Sequence, residues 1–437
     1  MKESAEETAE IVDTTLDGRG VTRGAGKTAF VRGALQGETV RFRRRRRRRN
    51  YDEAELLEIL EPSRDRVEPR CPVFGLCGGC SLQHLSADAQ LALKQATLLE
   101  NLERLGGVQP ARVLEPVTGP AWGYRRKARL AVKDVPKKGR VLVGFREQGK
   151  PFVTDTQRCD TLHPSAGERL AALSDLIGGL SIRSRLPQIE VAVGDDATAL
   201  VFRVLDAPSA DDLERLRDFG LATGLRVFLQ PGGPDSIAPL PGADDDSLLH
   251  YRLPSFDLTL AFQPTDFVQV NAGINERMLG LALDLLAPTT DSRVLDLFCG
   301  LGNFSLPLAR SCEAVLGVEG DAKMVARAGE NAASAGLRNA QFATADLSDA
   351  DALAAWSAER FDRVLLDPPR SGAAAILPAI AAYEPARLVY VSCHPGTLAR
   401  DAGRLVNEFG FRLAAAGIMD MFPQTSHVES IALFERD

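Results

Sequence analysis

The last third of the chain alternates short apolar segments with helical segments, and this pattern constrains the fold more than any other feature. Alternating strands and helices are typical of a parallel, doubly wound α/β sheet. In such sheets, ligands bind outside the carboxyl ends of the strands. Five apolar segments in series lead to polar or reactive residues, namely Asp296, Glu319, Asp346, Asp367 and Cys393. Packing alone explains one such ending but not five, so we expect a Rossmann-like domain with its site along this edge.

A glycine loop, Cys299-Gly-Leu-Gly-Asn303, follows the first of these strands and offers backbone for a cofactor to approach. Glu319 follows Asp296 by about twenty residues, the usual distance to a ribose-binding carboxylate. A dinucleotide cofactor fits poorly, because Ser305 stands where its motif requires a third glycine or alanine. S-adenosylmethionine (AdoMet) has no pyrophosphate and does not require that spacing, so the loop favours AdoMet.

Cys393 ends the apolar run from Val389 and is followed at once by His394 and Pro395. An unpaired cysteine is often a buried core residue, so a structural thiol and a nucleophile are both open interpretations. Asp367-Pro-Pro-Arg370 narrows the choice. Enzymes that methylate exocyclic amines tend to place an aromatic residue after these prolines, and RNA cytosine-C5 methyltransferases tend to place a cysteine there. With Arg370 at that position, Cys393 is the candidate nucleophile.

Residues 8–62 predict a small all-β module, because short apolar or alternating runs are separated by glycine-rich turns. Small barrels of this kind often bind oligonucleotides. Seven consecutive arginines, residues 43–49, lie on or beside one of the predicted strands. A block of like charge is usually solvated and often disordered, but it can also contact phosphates and become ordered on RNA. Both interpretations of this arginine run remain open.

Three cysteines lie within ten residues, in Cys71-Pro-Val-Phe-Gly-Leu-Cys77-Gly-Gly-Cys80, and Cys159 is a candidate fourth. This spacing predicts a metal site rather than chance clustering of core thiols. By spacing alone, a structural zinc ion and an iron–sulfur cluster are both allowed.

Three domains are predicted: residues 1–66, a small β-barrel; residues 67–255, a β-rich domain with the cysteine site; and residues 256–437, the α/β domain. An amphipathic helix is expected over residues 87–105, ending at Gly106-Gly107. Residues 123–251 show strands with turns, and the polar stretch 230–246 indicates an exposed loop or linker.

The bulk properties describe an ordinary soluble protein, with 45% hydrophobic and 25% charged residues and a net charge of −7. The acidic balance excludes a uniformly basic nucleic-acid binder. The N-terminus lacks the pattern of a signal peptide, and there is no apolar stretch of membrane-spanning length. A cytoplasmic location is expected, where cysteines are more often ligands, nucleophiles or core residues than disulfides.

Taken together, these motifs resemble the RNA uracil-C5 methyltransferase family, most closely its members that make 5-methyluridine in bacterial 23S rRNA. The matching segments are Phe267-Val-Gln-Val-Asn271, Asp296-Leu-Phe-Cys-Gly-Leu-Gly-Asn303, Asp367-Pro-Pro-Arg-Ser-Gly372, Val391-Ser-Cys-His-Pro395 and His427-Val-Glu-Ser430. The N-terminal β module is similar to a TRAM domain. The arginine run departs from the family pattern.

The resemblance implies an AdoMet-dependent methyltransferase that acts on an unstacked uridine in 23S rRNA, and no obligate protein partner is inferred. It implies AdoMet contacts at Gln269, Phe298, Asn303, Glu319, Asp346 and Asp367. It implies Cys393 as the nucleophile and Glu429 as the base. It also favours a [4Fe–4S] cluster over zinc, on Cys71, Cys77, Cys80 and Cys159.

Two rival functions differ in substrate or in class. A tRNA uracil-C5 methyltransferase ranks second, because such enzymes generally lack both the cysteine cluster and the β module. A non-catalytic RNA-binding protein is disfavoured by the complete set of Cys393, Glu429 and cofactor residues. Covalent catalysis by Cys393 requires a thiolate, so we expect its surroundings or a nearby base to lower its pKa.

Overall fold

A computed structural model describes residues 5–23, 26–242 and 247–436. The chain divides into two compact units. Unit 1 comprises Met1–Thr97, Arg146–Thr154 and Phe422–Ser426. Unit 2 comprises Leu98–Phe145, Asp155–Met421 and His427–Asp437. Among the residues described, none of the helices combines the length and apolarity needed to span a bilayer.

Unit 1 contains a six-stranded sheet in its described residues. Its strands are β1 (Glu6–Glu10), β2 (Asp13–Thr14), β3 (Arg19–Thr22), β4 (Ala29–Arg32), β5 (Thr39–Arg47) and β6 (Asp52–Glu61), in the order β1-β5-β6-β4-β3-β2. Alternate residues of the strands face a small core that includes Val31, Val40 and Phe42. The prediction of a β-rich N-terminal region is confirmed.

The arginine run forms part of β5 up to Arg47, and Arg45, Arg46 and Arg47 are exposed to solvent. Carboxylates of the neighbouring strands β1 and β6 stabilise it. The ion pairs are Arg43 with Glu6 at 2.7 Å, Arg44 with Glu7 at 2.7 Å and Asp52 at 2.9 Å, and Arg45 with Glu55. Like charges are tolerated on one strand here because each of these arginines faces an acid.

The predicted amphipathic helix is present as α1 (Ala87–Asn101), and a π-helical turn continues it over Leu102–Gly106. Leu98 and Leu102 are fully buried along its apolar face. The helix ends at Gly107, whose φ of 63° lies in the left-handed region that glycine adopts without strain.

The first part of unit 2 is a mixed sheet with helices. After β7 (Arg112–Val113), the chain forms β8 (Lys127–Val135), β9 (Arg140–Gly144), α2 (Pro164–Gly167), α3 (Leu170–Gly178), β10 (Gln188–Val193), β11 (Thr198–Arg203), α4 (Ala210–Thr223), β12 (Leu225–Gln230) and β13 (Ala238–Pro239). The sheet order is β13-β12-β11-β10-β8-β9. Short 3₁₀ turns cover Pro136–Lys138, Arg183–Arg185 and Pro234–Ser236.

The prediction of strands and turns over residues 123–251 missed α3 and α4. The signal for α4 was available, since Ser209 and Asp212 form a capping box at its start. The stretch 230–246 is also more ordered than a plain loop, because β13 pairs with β12. Its residues 243–246 lie outside the described residues.

The rest of unit 2 is an α/β domain. It contains β14 (Leu249–Leu253), β15 (Leu258–Phe262), α5 (Ala272–Leu286), β16 (Arg293–Leu297), α6 (Ser305–Ala309), β17 (Ala314–Glu319), α7 (Ala322–Ser334), β18 (Ala340–Thr344), β19 (Arg363–Leu366), α8 (Leu377–Ala382), β20 (Arg387–Ser392), α9 (Pro395–Asn407), β21 (Arg412–Met419) and β22 (Glu429–Glu435). Further 3₁₀ turns cover Pro254–Phe256 and Ala354–Trp356.

The main sheet has the order β18-β17-β16-β19-β20-β22-β21-β7. The five neighbouring strands β18, β17, β16, β19 and β20 are parallel. Strand β22 lies between β20 and β21 and is antiparallel to both. The strand order reverses next to β16, and at such a switch point a crevice opens for ligands. The predicted α/β class is confirmed.

Candidate active site

The register of the parallel strands aligns the polar residues at their carboxyl ends. Leu297 of β16 lies opposite Val318 of β17 and Leu366 of β19, and Leu366 lies opposite Tyr390 of β20. The residues that follow therefore emerge along one edge of the sheet, as predicted from the sequence. These residues are Phe298, Glu319, Asp367 and Cys393.

The glycine loop turns sharply with left-handed backbone at Phe298 (φ 64°), Gly300 (φ 56°) and Gly302 (φ 92°). At a residue with a β-carbon, such a conformation costs about 1–3 kcal/mol. Residues that adopt it cluster at functional sites. Two contacts hold it here. The Phe298 amide donates to the Val318 carbonyl at 2.9 Å, and the Gly300 amide donates to Glu319 Oε2 at 3.1 Å. Glu319 therefore lies beside the loop, and its carboxylate stabilises the conformation of the loop.

Asp296 is fully buried beneath this loop. The Ser305 hydroxyl donates to its Oδ2, whereas its Oδ1 has no hydrogen-bond partner among the described residues. Burial, with further contributions from Asp367 and Glu319, raises the pKa of Asp296 to about 7. An unpartnered, buried carboxylate oxygen fits a cationic ligand group. The sequence placed Asp296 on the strand but did not identify it as a ligand contact.

Asn303 is held by side chains from two other elements. Its Oδ1 accepts from the Tyr251 hydroxyl at 3.0 Å and from Asn275 Nδ2 at 3.0 Å, and its Nδ2 donates to Asn275 Oδ1 at 2.9 Å. The amide therefore has little freedom to rotate. Tyr251 and Asn275 were missed by sequence analysis, because β14 and α5 meet the loop only in three dimensions.

Gln269 and Asp346 lie apart from this network. Gln269 is half-buried between β15 and α5, two residues before the α5 cap Asn271. Asp346 is exposed after β18, and hydrogen bonds from the Ser348 hydroxyl (2.6 Å) and amide (3.0 Å) lower its pKa. Within the described residues, no hydrogen bond connects either side chain to the other predicted AdoMet contacts.

Cys393 lies between the end of β20 and the start of α9, and it is half-buried. His394 caps α9, since its Nδ1 accepts from the Thr397 amide at 3.1 Å. In the antiparallel pair, Ser392 of β20 lies opposite Ser430 of β22. Glu429 precedes Ser430 and begins β22. It therefore lies opposite Cys393, the residue that follows Ser392.

Glu429 is buried, with 4% of its surface exposed. This burial, together with the charge of Asp367, raises the pKa of Glu429 well above its usual value. Burial also raises the pKa of Asp367 to about 7. Two carboxyls thus share a poorly solvated site next to the thiol, and both hold protons more strongly than they would in water.

The expectation of a lowered thiol pKa is wrong. Burial raises the pKa of Cys393, and the negative charges of Glu429 and Asp367 raise it further. Arg370 opposes this effect, and its guanidinium donates to His427 Nδ1 at 3.0 Å. The sequence could not show that the carboxyls of Glu429 and Asp367 beside the thiol raise its pKa.

The four predicted metal ligands are half-buried. In unit 1, Cys71 and Cys77 lie on one tight loop, in which the Phe74 amide donates to the Cys71 carbonyl and the Gly79 amide to Cys77 Sγ at 3.4 Å. In unit 2, Cys159 Sγ lies 3.2 Å from Thr161 Oγ1. Across the described residues, no group of three or more His, Cys, Asp or Glu side chains is gathered to hold a metal ion. A preassembled cluster site is therefore not confirmed.

The chain is similar to known methyltransferases. The family model for tRNA (uracil-5-)-methyltransferases matches residues 254–437, which contain Cys393 and Glu429. The chain also shares its fold with the crystal structure of Pyrococcus abyssi tRNA (uracil-54, C5)-methyltransferase in complex with S-adenosyl-L-homocysteine. The TM-score is 0.75 at 24% identity, over 98% of this chain and 99% of that chain.

Two curated relatives match almost the entire chain. The 23S rRNA (uracil(1939)-C(5))-methyltransferase RlmD of Alkalilimnicola ehrlichii is 55% identical, over 98% of this chain and 96% of its own. The RlmD of Methylococcus capsulatus is 52% identical, with the same coverage. The chain therefore belongs to the RlmD family of RNA uracil-C5 methyltransferases.

Proposed function

We propose that this protein methylates C5 of a uridine in 23S rRNA, using AdoMet, in the cytoplasm. The observation that carries the proposal is the juxtaposition of Cys393 and Glu429 across β20 and β22, at the ligand-binding edge of the sheet. The near full-length relatives are named for uracil 1939 of 23S rRNA, and we propose the equivalent uridine as the target.

The residues along the sheet edge suit AdoMet. We propose that Gln269, Phe298, Asn303, Glu319, Asp346 and Asp367 bind it. Glu319 and Asp346 supply carboxylates for hydroxyl and amine groups, and the unpartnered Oδ1 of Asp296 adds an acceptor for a cationic group. When bound, AdoMet supplies an electrophilic methyl group. The hydrogen bonds that fix the Asn303 amide and the glycine loop preserve the shape of the pocket.

Cys393 activates the uracil ring, whose C5 is a poor nucleophile on its own. Its thiolate attacks C6, forming the S–C6 bond, and the C5–C6 π electrons move toward C5 and the C4 carbonyl as an enolate. C5 could then bond to the methyl group as the methyl–sulfonium bond of AdoMet breaks, which would leave S-adenosylhomocysteine. This covalent route divides one difficult step into easier ones. The target base must first be unstacked from the RNA and placed in the pocket.

Glu429 completes the reaction as a general base. It takes the proton from C5, and the electrons of the broken C–H bond restore the C5–C6 double bond while the thiolate of Cys393 is expelled. Its raised pKa makes Glu429 a stronger base than an exposed glutamate. Arg370, which partly offsets the carboxylate charges, favours the ionised thiolate.

The upstream regions deliver the RNA. We propose the division into residues 1–66, a TRAM-like RNA-binding barrel; 67–255, a central domain; and 256–437, the catalytic domain. The exposed Arg46, Arg47 and Arg49 of the arginine run are suited to phosphate contacts. Such contacts give sequence-independent affinity that falls with salt.

We also propose that Cys71, Cys77, Cys80 and Cys159 bind a [4Fe–4S] cluster. Four half-buried thiols supply the donor set that such clusters require. Protein purified without oxygen is expected to contain about four iron atoms per chain, measured by elemental analysis and visible absorption. Stoichiometric zinc without iron would contradict the cluster.

A tRNA substrate is the alternative, and the fold does not exclude it. A tRNA (uracil-54, C5)-methyltransferase matches the chain over its full length, so the N-terminal β module does not discriminate between rRNA and tRNA. Sequence identity does discriminate, at 55% to an rRNA enzyme against 24% to the tRNA enzyme.

Deleting the gene should remove 5-methyluridine at one site of 23S rRNA and leave the tRNA level unchanged. Mass-spectrometric mapping of both RNA classes, with and without the gene restored on a plasmid, measures this. A loss confined to tRNA would establish the alternative.

A further inference from the structure

The loop that follows β19 carries two charged residues of the proposed site, Asp367 and Arg370. Asp367 directly follows the strand, and its amide donates to the Leu297 carbonyl at 3.3 Å. Arg370 lies three residues further along, beyond two prolines, in a turn over residues 370–373 between β19 and α8. Strand pairing therefore explains the position of Asp367 but not the position of Arg370.

A buried carboxylate of α9 holds the backbone of this turn. Asp401 is fully buried, and its Oδ2 accepts from the Ala373 amide at 2.9 Å and from the Tyr390 hydroxyl at 2.8 Å. The Ala373 amide also donates to the Tyr390 hydroxyl at 3.1 Å. One carboxylate oxygen thus connects the turn to both β20 and α9, within unit 2.

Arg400, the neighbour of Asp401 on α9, bonds the same turn at a second place. Its Nε donates to Asp401 Oδ1 at 2.8 Å, and its Nη2 donates to the Ser371 carbonyl at 2.9 Å. This ion pair also offsets the cost of burying the carboxylate, which would be large without a partner. The turn is therefore bonded to α9 on both sides of Gly372.

Gly372 allows the turn and the helix to approach this closely. Its φ of 80° lies in the left-handed region that glycine adopts without strain. A β-carbon at this position would lie 2.5 Å from Asp401 Oδ2 and 2.6 Å from Arg400 Nη2. Any larger residue would therefore push the turn away from α9.

The helix that holds the turn begins beside the candidate nucleophile. Helix α9 starts at Pro395, two residues after Cys393, and Asp401 lies on its second turn. Because backbone hydrogen bonds link successive turns of a helix, Asp401 keeps a fixed relation to the start of α9. On the other side, the Arg370 guanidinium donates to His427 Nδ1 at 3.0 Å.

We propose that Asp401 is a positioning residue for Arg370. By bonding the turn that follows Arg370, it keeps the guanidinium beside the thiol of Cys393. The positive charge of Arg370 lowers the pKa of that thiol, whereas burial and the charges of Glu429 and Asp367 raise it. The inference rests on the proposed role of Cys393, because the thiolate that Arg370 favours is the form that attacks the ring.

Asp401→Asn keeps the shape of the side chain but replaces one acceptor oxygen by a donor, so the bonds to the turn and to Arg400 cannot all persist. We expect iodoacetamide labelling of Cys393, followed by site-resolved mass spectrometry, to move about one pH unit higher as Arg370 drifts away. Removing the negative charge of Asp401 would by itself lower the thiol pKa. The direction of the shift therefore separates positioning from a direct effect of charge.

Asp212→Asn is the matched control. Asp212 is likewise a buried aspartate of unit 2, and it accepts from the Ser181 amide at 2.7 Å and from the Ser209 amide at 3.0 Å. Its replacement also removes buried hydrogen bonds, but none of them reaches the turn. Labelling of Cys393 should therefore follow the natural curve, which separates a loss of stability from a loss of position.

Arg370→Gln should shift the curve in the same direction as Asp401→Asn, and the double variant should show no further rise. Gly372→Ala disturbs the contact from the side of the turn, and it replaces Asp401→Asn if that variant does not fold. The inference is overturned if the tested variant labels as Asp212→Asn does, if its curve moves to lower pH, or if Arg370→Gln leaves the curve unchanged. A further rise in the double variant would also overturn it.

Labelling requires neither RNA nor AdoMet, so it tests the positioning role separately from the reaction. If Cys393→Ala keeps full methylation, the proposed function has failed, whatever the labelling shows. If Cys393→Ala is inactive and Asp401→Asn labels as Asp212→Asn does, only the positioning role has failed.

Discussion

Cys393→Ala is expected to abolish methylation, lowering turnover by about 10⁴-fold or more. Without the thiolate no bond to C6 forms, and C5 stays too electron-poor to take a methyl group. The measurement is transfer of a radiolabelled methyl group to 23S rRNA, together with the covalent enzyme–RNA adduct on denaturing gels. Both signals should vanish while AdoMet binding persists.

Cys312→Ala is the matched control, because Cys312 is a buried thiol with no role in the proposed chemistry. It should retain both methylation and adduct formation. Full activity in Cys393→Ala would exclude covalent catalysis by this residue.

Glu429→Gln should form the adduct but fail to resolve it, lowering turnover by about 10²- to 10⁴-fold. The glutamine keeps the shape of the side chain but cannot accept the C5 proton, and without that step Cys393 cannot be expelled. Gel-stable, methylated adduct should therefore accumulate to the level of the enzyme. Glu435→Gln, at the far end of β22, is the control and should turn over normally.

The same variant should also make the thiol more acidic. Burial is the largest cause of the raised pKa of Cys393, and Glu429 is the next. Removing that negative charge lowers the pKa, so iodoacetamide labelling of Cys393 should rise at a lower pH in Glu429→Gln than in the natural chain. Site-resolved mass spectrometry separates Cys393 from the other cysteines. If Glu429→Gln neither accumulates adduct nor shifts the labelling curve, Glu429 is not the base and is too far from Cys393 to affect its pKa.

The strands of the catalytic sheet could be predicted because each one corresponds to a short, continuous segment of the sequence. A buried parallel strand is a short apolar run, and the residue after it must emerge at the sheet edge. Asp367 and Cys393 could therefore be placed at one edge from the strand pattern alone. The helices α3 and α4 were missed because the strands around them dominate the pattern, although Ser209 and Asp212 carry a capping signal.

Other parts of the site depend on residues that meet only after folding. Tyr251 and Asn275 reach Asn303 from separate elements, and no spacing in the sequence links them. The pKa of Cys393 depends first on its own burial and then on the charges of Glu429, Asp367 and Arg370, none of which composition reveals. The sequence predicted a nucleophilic thiol with a lowered pKa, whereas packing in the folded chain raises that pKa.

The ion pairs of β5 have a consequence for how the protein meets RNA. A phosphate that approaches Arg43, Arg44 or Arg45 must displace a carboxylate already in place. The binding free energy of such a phosphate would then be the difference between its ion pair with the arginine and the ion pair that it displaces. A polyanion of the wrong shape gains little from the exchange, whereas one that matches the strand can replace several carboxylates together.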